Sequence, residues 1–394
     1  MKLFDQERAS NLMEAAGVDC LLATSKHNVA YLSDYWHAVS DDYYVLWDTS
    51  VTHKTFCGVP ADPAKEAFIV AGASETTTLE REDPWIKDRR YWGPGYYIQT
   101  WGVAKPEPGD PTAVVADALI EKGLSSGTIA VERRYLGVSY FDQLAERLPN
   151  ARFVDAEEIL WKLRMIKSPE EQRRLRECCR HTAEIWIEVM SEAVEGMTEL
   201  EMMHLFTAKF AGRGMEPERT YVIFGPAGLE LKNGSPVPSN NPLKEGQFIR
   251  IDVQGRYEGY VSNMSRVIGF GDVTPEMRSA HALVKSMVET LIPEVKPGVP
   301  VSEIRRKELP LYEGTGYNAV VPYTGHGVGR VVHEPPYLME SDTTVLEPGM
   351  SVTLEPTVNY QADGDIFISL EDQFIVTEDG AEHLTKAAPL DLYL

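Results

Sequence analysis

This 394-residue chain is sparing with cysteine, poor in basic relative to acidic charge, and without a long apolar run. Its four cysteines are Cys20, Cys57, Cys178 and Cys179. None stands in a Cys-x-x-Cys pair, which excludes a zinc knuckle or a dithiol redox motif. Cys178 and Cys179 are adjacent in a helical pattern and cannot form an ordinary bridge, so idle, buried thiols are expected. No stretch of eighteen apolar residues occurs, which excludes a transmembrane helix. The first seventeen residues carry acids where a signal peptide needs an apolar core, and a cytoplasmic location is expected. There are 38 basic against 60 acidic residues, a net charge of −22. Such a surface suits neither nucleic acid nor an anionic membrane. It favours solubility, with attraction of a cationic substrate as the functional alternative. The glycines of Gly325-His326-Gly327-Val328-Gly329 lack the Lys-Ser/Thr of a nucleotide loop. No Ser-His-Asp arrangement follows from spacing alone. No short-period repeat or low-complexity segment is visible.

What is present is an ordinary globular composition, 43% hydrophobic and 25% charged, in a chain long enough for two cores. The first 160 residues alternate helix and strand patterns, as in a small α/β domain. Phe4 to Gly17 reads as an amphipathic helix with Leu12, Met13 and Ala16 on one face. Strands are expected at Asp19–Ala23, Asn28–Leu32, Tyr43–Trp47, Ala67–Val70 and Thr128–Val131. A helix is expected over Pro111–Lys122. The segment Asp83 to Pro111 reads as a polar stretch rich in Trp, Tyr, Pro and Gly. The join falls near Trp161 to Ser168, so residues 1–160 and 161–394 are expected to form the two domains. Pro169 followed by Glu170, Glu171 and Gln172 marks the start of a long helix running to about Val194. A second helix is expected from Thr198 to about Gly212 and a third over Pro275–Ile292. Phe248–Val253, Tyr260–Gly269, Ser351–Glu355 and Phe367–Glu371 read as strands.

Four residues in this second part carry chemistry. Asp252 ends the apolar Phe248–Val253 run, His326 sits among glycines, Glu355 precedes Pro356, and Glu371 ends another apolar run. A carboxylate at the end of an apolar strand is costly to bury unless it is paired or binds a metal. One such residue is an unremarkable strand end. Three with an imidazole suit Mn, Fe, Co or Zn at a hydrolytic site.

These segments resemble the pita-bread enzymes: methionine aminopeptidases, prolidases, aminopeptidases P and creatinases. The likeness rests on Ile251-Asp252-Val253-Gln254-Gly255 with Gly259 to Arg266, on Gly325 to Gly329 with His333-Glu334-Pro335, on Leu354-Glu355-Pro356 and on Leu370-Glu371-Asp372. Arg164 to Glu171 resembles the start of their catalytic domain. Prolidases and creatinases also carry an N-terminal α/β domain, so the resemblance spans the chain. It implies an α+β protein with a C-terminal pita-bread domain behind a smaller creatinase/prolidase-like α/β domain, and a homodimer. It also implies that Asp252, position 263, His326, Glu355 and Glu371 are metal ligands. His333 would meet substrate, and Asp42, Ser235 and Tyr323 would face it.

Three positions depart from that pattern. Position 263 is Asn263 where the family has a bridging aspartate. An amide is neutral, and its NH2 repels a cation, so two ions are disfavoured and one ion or none is expected. Ser235 stands where prolidases and creatinases carry a histidine, and no other histidine lies between His204 and His281. Lys232 is nearby, though a lysine before Asn-Gly is ordinarily a solvated turn residue. Asp42 stands where creatinase places a carboxylate-binding arginine, so creatine is not expected as substrate. Acids beside Tyr35, Trp36, Tyr43, Tyr44 and Trp47 suit a cationic or zwitterionic group, although the same aromatics also suit an N-terminal core. Three readings stay open. One is a C–N hydrolase of prolidase type with one divalent ion, using Glu355 as base. Another is a metal-independent, creatinase-like hydrolase in which Glu355 and Glu371 form an acid–base pair with His333 or His326 shuttling the proton. The third is a fold used only for binding.

Overall fold

The computed structural model of the protein describes residues 2–36, 55–93, 110–225, 237–360 and 366–393. It divides into two compact units, Met1–Arg164 and Met165–Leu394. Among the described residues no helix is long and apolar enough to cross a membrane.

The first unit is built on one mixed sheet of β1 (Cys20–Ala23), β2 (Phe56–Pro60), β3 (Phe68–Gly72), β4 (Asp88–Trp92), β5 (Thr128–Val131) and β6 (Arg152–Asp155). The spatial order is β4-β3-β2-β1-β5-β6. Helix Gln6–Ala15 precedes β1, and helix Pro111–Glu121 lies between β4 and β5 in chain order. On the first helix the buried residues are Ala9 and Met13. Ala16, expected on that face, is exposed because the helix has already ended. Two further expectations are corrected here. Asn28–Leu32 is not a strand but part of the helix Lys26–Ser33. Ser25 caps that helix by accepting from the Asn28 amide, and its apolar residues are buried on every side, so no helical period shows in the sequence. The polar stretch after Asp83 contains β4, paired in parallel with β3. The 43–47 strand lies outside the described residues. All four cysteines are free and buried. Burial raises every thiol pKa, that of Cys20 and that of Cys178 to about 12, so these are inert packing residues.

In the second unit the helix Pro169–Ser191 opens with a capping box between Ser168 and Glu171, and Glu199–Gly212 with one between Thr198 and Glu201. Each cap contributes on the order of 1 kcal/mol. The strands β7 (Glu216–Gly225), β8 (Gln247–Tyr257), β9 (Tyr260–Val261) and β10 (Met264–Phe270) make one sheet, ordered β10-β8-β7 with β9 beside β8. The remaining strands are β11 (Asn318–Ala319), β12 (His326–Gly327), β13 (Glu334–Tyr337), β14 (Ser351–Leu354), β15 (Thr357–Tyr360), β16 (Ile366–Ser369), β17 (Asp372–Val376) and β18 (Ala381–His383). They form the sheets β13-β12-β14-β17-β18 and β11-β15-β16. A bridge between Ser265 and Glu371 ties β10 to the segment leading into β17.

The helix Pro275–Leu291 buries His281 among Met277, Ala280, Val284 and Val288. Burial holds the His281 pKa down to about 4, with Lys285 adding to the effect and the Val267 backbone and Asp391 opposing it. The unfolded chain therefore binds the extra proton between about pH 6.5 and pH 4, and stability falls as pH falls through that window. The loss is about 3 kcal/mol by pH 4. Urea midpoints of the native protein and of His281→Leu, taken from pH 7 to pH 4.5, check this. The leucine variant is expected to lose less over the same range.

Candidate active site

The chemistry-bearing residues converge where β8, β10, β12, β14 and β17 meet. The ladder between β14 and β17 pairs Leu354 with Asp372, and that between β15 and β16 pairs Thr357 with Ser369. Both follow one register. Glu355 and Glu371, one step beyond the first ladder, are thereby set opposite each other at the break between the two. His326 approaches from β12. Its neighbour glycines are required by contact: a Cβ on Gly325 would lie 2.0 Å from the Thr353 carbonyl oxygen, and one on Gly327 would lie 2.3 Å from that of Pro335. The His326 backbone is thus pressed between β14 and β13. His326 Nδ1 lies 2.9 Å from the Gly327 carbonyl oxygen. Donation to that oxygen leaves Nε2 with its lone pair facing the glutamates.

From Nε2, Glu355 Oε1 is 3.3 Å away and Glu371 Oε1 is 3.8 Å away. One donor atom from each of the three residues fits within 4.8 Å. Glu355 Oε1 is buried without a hydrogen-bond partner. A lone pair on nitrogen, two convergent carboxylates and one unsatisfied buried oxygen are the donor set a divalent ion of the Mn, Fe, Co or Zn type takes, so the residues fit such an ion. Burial raises the Glu371 pKa well above the usual carboxylate range, and Glu355 and Asp252 add to the shift.

Asp252 lies outside that close set. It does not end its strand, as the sequence suggests. It sits in the middle of β8, because beyond the apolar run Gly255 and Arg256 still find partners on β7 and Arg256 pairs with Glu218. Strand alternation puts Arg250, Asp252 and Gln254 on one face. Gln254 Nε2 donates to Asp252 Oδ1 and to Asn263 Oδ1, each at 3.0 Å. Asn263, in the break between β9 and β10, donates from Nδ2 to Glu371 Oε1 at 2.6 Å and lies 3.4 Å from His326 Nε2. Its backbone N–H donates to Gln373 Oε1 at 2.9 Å. Burial raises the Asp252 pKa, Arg250 opposes that, and Glu355 adds to it. Arg250 is itself buried, which lowers its pKa against the pull of Asp252, Glu355 and Glu371.

His333 stacks on His326 with ring centroids 3.8 Å apart and planes 16° apart. Loss of hydration, then His326 and Arg219, holds its pKa down to about 4, so it is neutral at pH 7. Its loop is held by the buried Glu334, whose Oε1 accepts from the amides of Arg330 and Val331 at 2.7 and 3.1 Å. Tyr323 packs edge-on to His326, His333 and Tyr337. Asp42, Ser235 and Lys232 lie outside the described residues. The sequence reading missed Arg250 and Gln254. Their signal was the two-residue spacing from Asp252 on a strand, which places them on its face.

An imidazole from β12 and two glutamates at the adjoining ends of β14 and β17, on this frame, define a pita-bread hydrolase. The chain belongs to metallopeptidase family M24: residues 173–378 match the model of that family, and residues 6–166 match the creatinase/prolidase N-terminal domain. It is a hydrolase of the metallopeptidase type. A Bacillus subtilis protein named "Putative dipeptidase YkvY" is 28% identical over 98% of this chain and 99% of its own length. A Lactobacillus helveticus Xaa-Pro dipeptidase is 25% identical over 70% of this chain and 75% of its own. Among solved structures, an Xaa-Pro dipeptidase from Bacillus anthracis superposes with a TM-score of 0.80, at 23% identity and 98% coverage of both chains.

Proposed function

We propose that the protein is a dipeptidase, cleaving the C–N bond of a small zwitterionic substrate of Xaa-Pro type with one divalent ion held by His326, Glu355 and Glu371. The observation that carries this is the convergence of those three donors beside a neutral His333. When bound, the ion supplies Lewis-acid polarisation of the scissile carbonyl. Glu355 takes a proton from the attacking water on the carboxylate oxygen that is not committed to the ion and returns it to the departing nitrogen. His333, fixed by its stack on His326, donates an N–H toward the carbonyl oxygen as it becomes tetrahedral. Tyr323 walls the same space with its ring. The zwitterion is favoured over a plain anion by the net charge of −22.

The contact of Asn263 Nδ2 with Glu371 favours one second reading, a hydrolase that works without an ion. Protein purified without added metal separates the two. About one ion per chain, with Xaa-Pro cleavage abolished by chelation and restored by Mn, is the expected result. Cleavage that survives complete removal of metal overturns the one-ion reading.

A further inference from the structure

Gln254 Nε2 lies between two oxygens that would otherwise face each other, Asp252 Oδ1 and Asn263 Oδ1, at 3.0 Å from each. All three side chains are at the heart of the site, and Gln254 is only 3% exposed. Its backbone is in the middle of β8, paired with Arg219 of β7. The network also fixes which end of the amide is which. Reversal would set Oε1 against a carboxylate and an amide oxygen, two acceptors with nothing to share. Asn263 is fixed in the same way, since its Nδ2 is committed to Glu371. Arg250, two residues before Asp252 on the same face, sets a buried positive charge whose field reaches Asp252, Glu355 and Glu371.

We infer that Gln254 is a built-in occupant of the Asp252 side of the site: its amide N–H2, with Arg250 as countercharge, stands where a second cation would have to bind, and limits the chain to the His326 side. A cation ligated by Asp252 and residue 263 needs their oxygens at about 2.0–2.2 Å from its own centre. The amide nitrogen already fills the gap between those oxygens and presents hydrogens to both. Restoring an aspartate at 263 therefore does not by itself open the second position. Gln254 is a positioning residue here, committing Asp252 Oδ1 and Asn263 Oδ1 to its own amide. The inference rests on the one-ion reading above, but its test does not depend on activity.

The test is the number of Mn ions bound per chain, by equilibrium dialysis and elemental analysis, in three folded proteins: the native chain, Asn263→Asp, and Asn263→Asp/Gln254→Ala. The expected counts are one, one and two. The increment between the two variants tests Gln254, and the count in the native chain tests the one-ion reading. A native count of zero with the increment intact removes that reading and supports Gln254 as the occupant. Equal counts in the two variants, or a gain already present with Asn263→Asp alone, overturns the inference. Should the alanine variant lose its cooperative melting transition, Asn263→Asp/Gln254→Ser makes the same comparison.

Discussion

Glu355→Gln is expected to lower kcat for dipeptide cleavage by about 10²–10⁴-fold, the range that a positioned general base contributes. The substitution preserves shape but removes the charge and the proton acceptor. Glu355 is a suitable single target because its partners are few. It sits at the break between β14 and β15, its Oε1 has no hydrogen-bond partner, and it is 16% exposed at the side chain. Little of the fold rests on it, so the melting temperature is expected to stay close to that of the native protein. Loss of cleavage with an unchanged melt and an unchanged metal content assigns the proton transfer to Glu355 and excludes a fold used only for binding. Retention of more than a tenth of the native rate would show that the proton goes elsewhere. His333→Ala is the companion measurement. It removes a donor without removing a ligand, and a smaller fall in kcat is expected with metal content unchanged.

The second large effect concerns stability. Arg266→Met is expected to destabilise the second unit by about 3–5 kcal/mol, the cost of leaving one half of a buried ion pair alone. Arg266 is 1% exposed. Its Nη2 donates to Asp372 Oδ1, its Nη1 to the carbonyls of Ser265 and Glu371 at 2.9 and 2.7 Å, and its Nε and Nη2 to that of Ala388 at 3.1 and 2.8 Å. Asp372 has no exposure at all, and burial by itself would raise its pKa. Arg266, then His383 and Thr385, instead hold that pKa well below the usual carboxylate range. Methionine fills the volume but satisfies none of these acceptors. A fall in Tm on the order of 10 °C is expected for a unit of this size. Arg266→Lys should fall between, because an ammonium keeps the charge and loses the planar fork. The double change Arg266→Met/Asp372→Asn should recover part of the loss. If Arg266→Met melts with the native protein, the pair is not what holds Glu371 in place.

The parts of the site that could be read from the sequence are those whose neighbours announce them. His326 is flanked by glycines that the structure shows to be contact-limited, and Glu355 and Glu371 close apolar runs. The elements that resisted reading did so for physical reasons. Asn28 to Leu32 is too short and too evenly buried to show a helical period, and the Ser25 cap is a single hydroxyl. The sequence suggests a strand end at Asp252 because the apolar residues stop there. The strand continues through Gln254, Gly255 and Arg256, whose pairing is made by backbone bonds and by a salt bridge to Glu218, neither of which marks the sequence. Gln254 itself gave no sign beyond its spacing, since an amide acquires a role only from what stands opposite it. Helix positions were legible because starts such as Ser168-Pro169 and Thr198 are strong local signals, and the pita-bread frame was legible only through the resemblance of the segments around Asp252, His326, Glu355 and Glu371 to that family.

The shared register of the β14/β17 and β15/β16 ladders carries a consequence for how this protein can vary. Side chains on a strand alternate between faces, so a slip of one residue reverses every one of them. Glu355 and Glu371 face each other only because both arms keep the same count through the break. A one-residue insertion in either arm would turn one glutamate away from His326 while leaving the sheet itself intact. An exchange of side chain, as at position 263, leaves that count untouched, whereas any odd change of length within an arm does not.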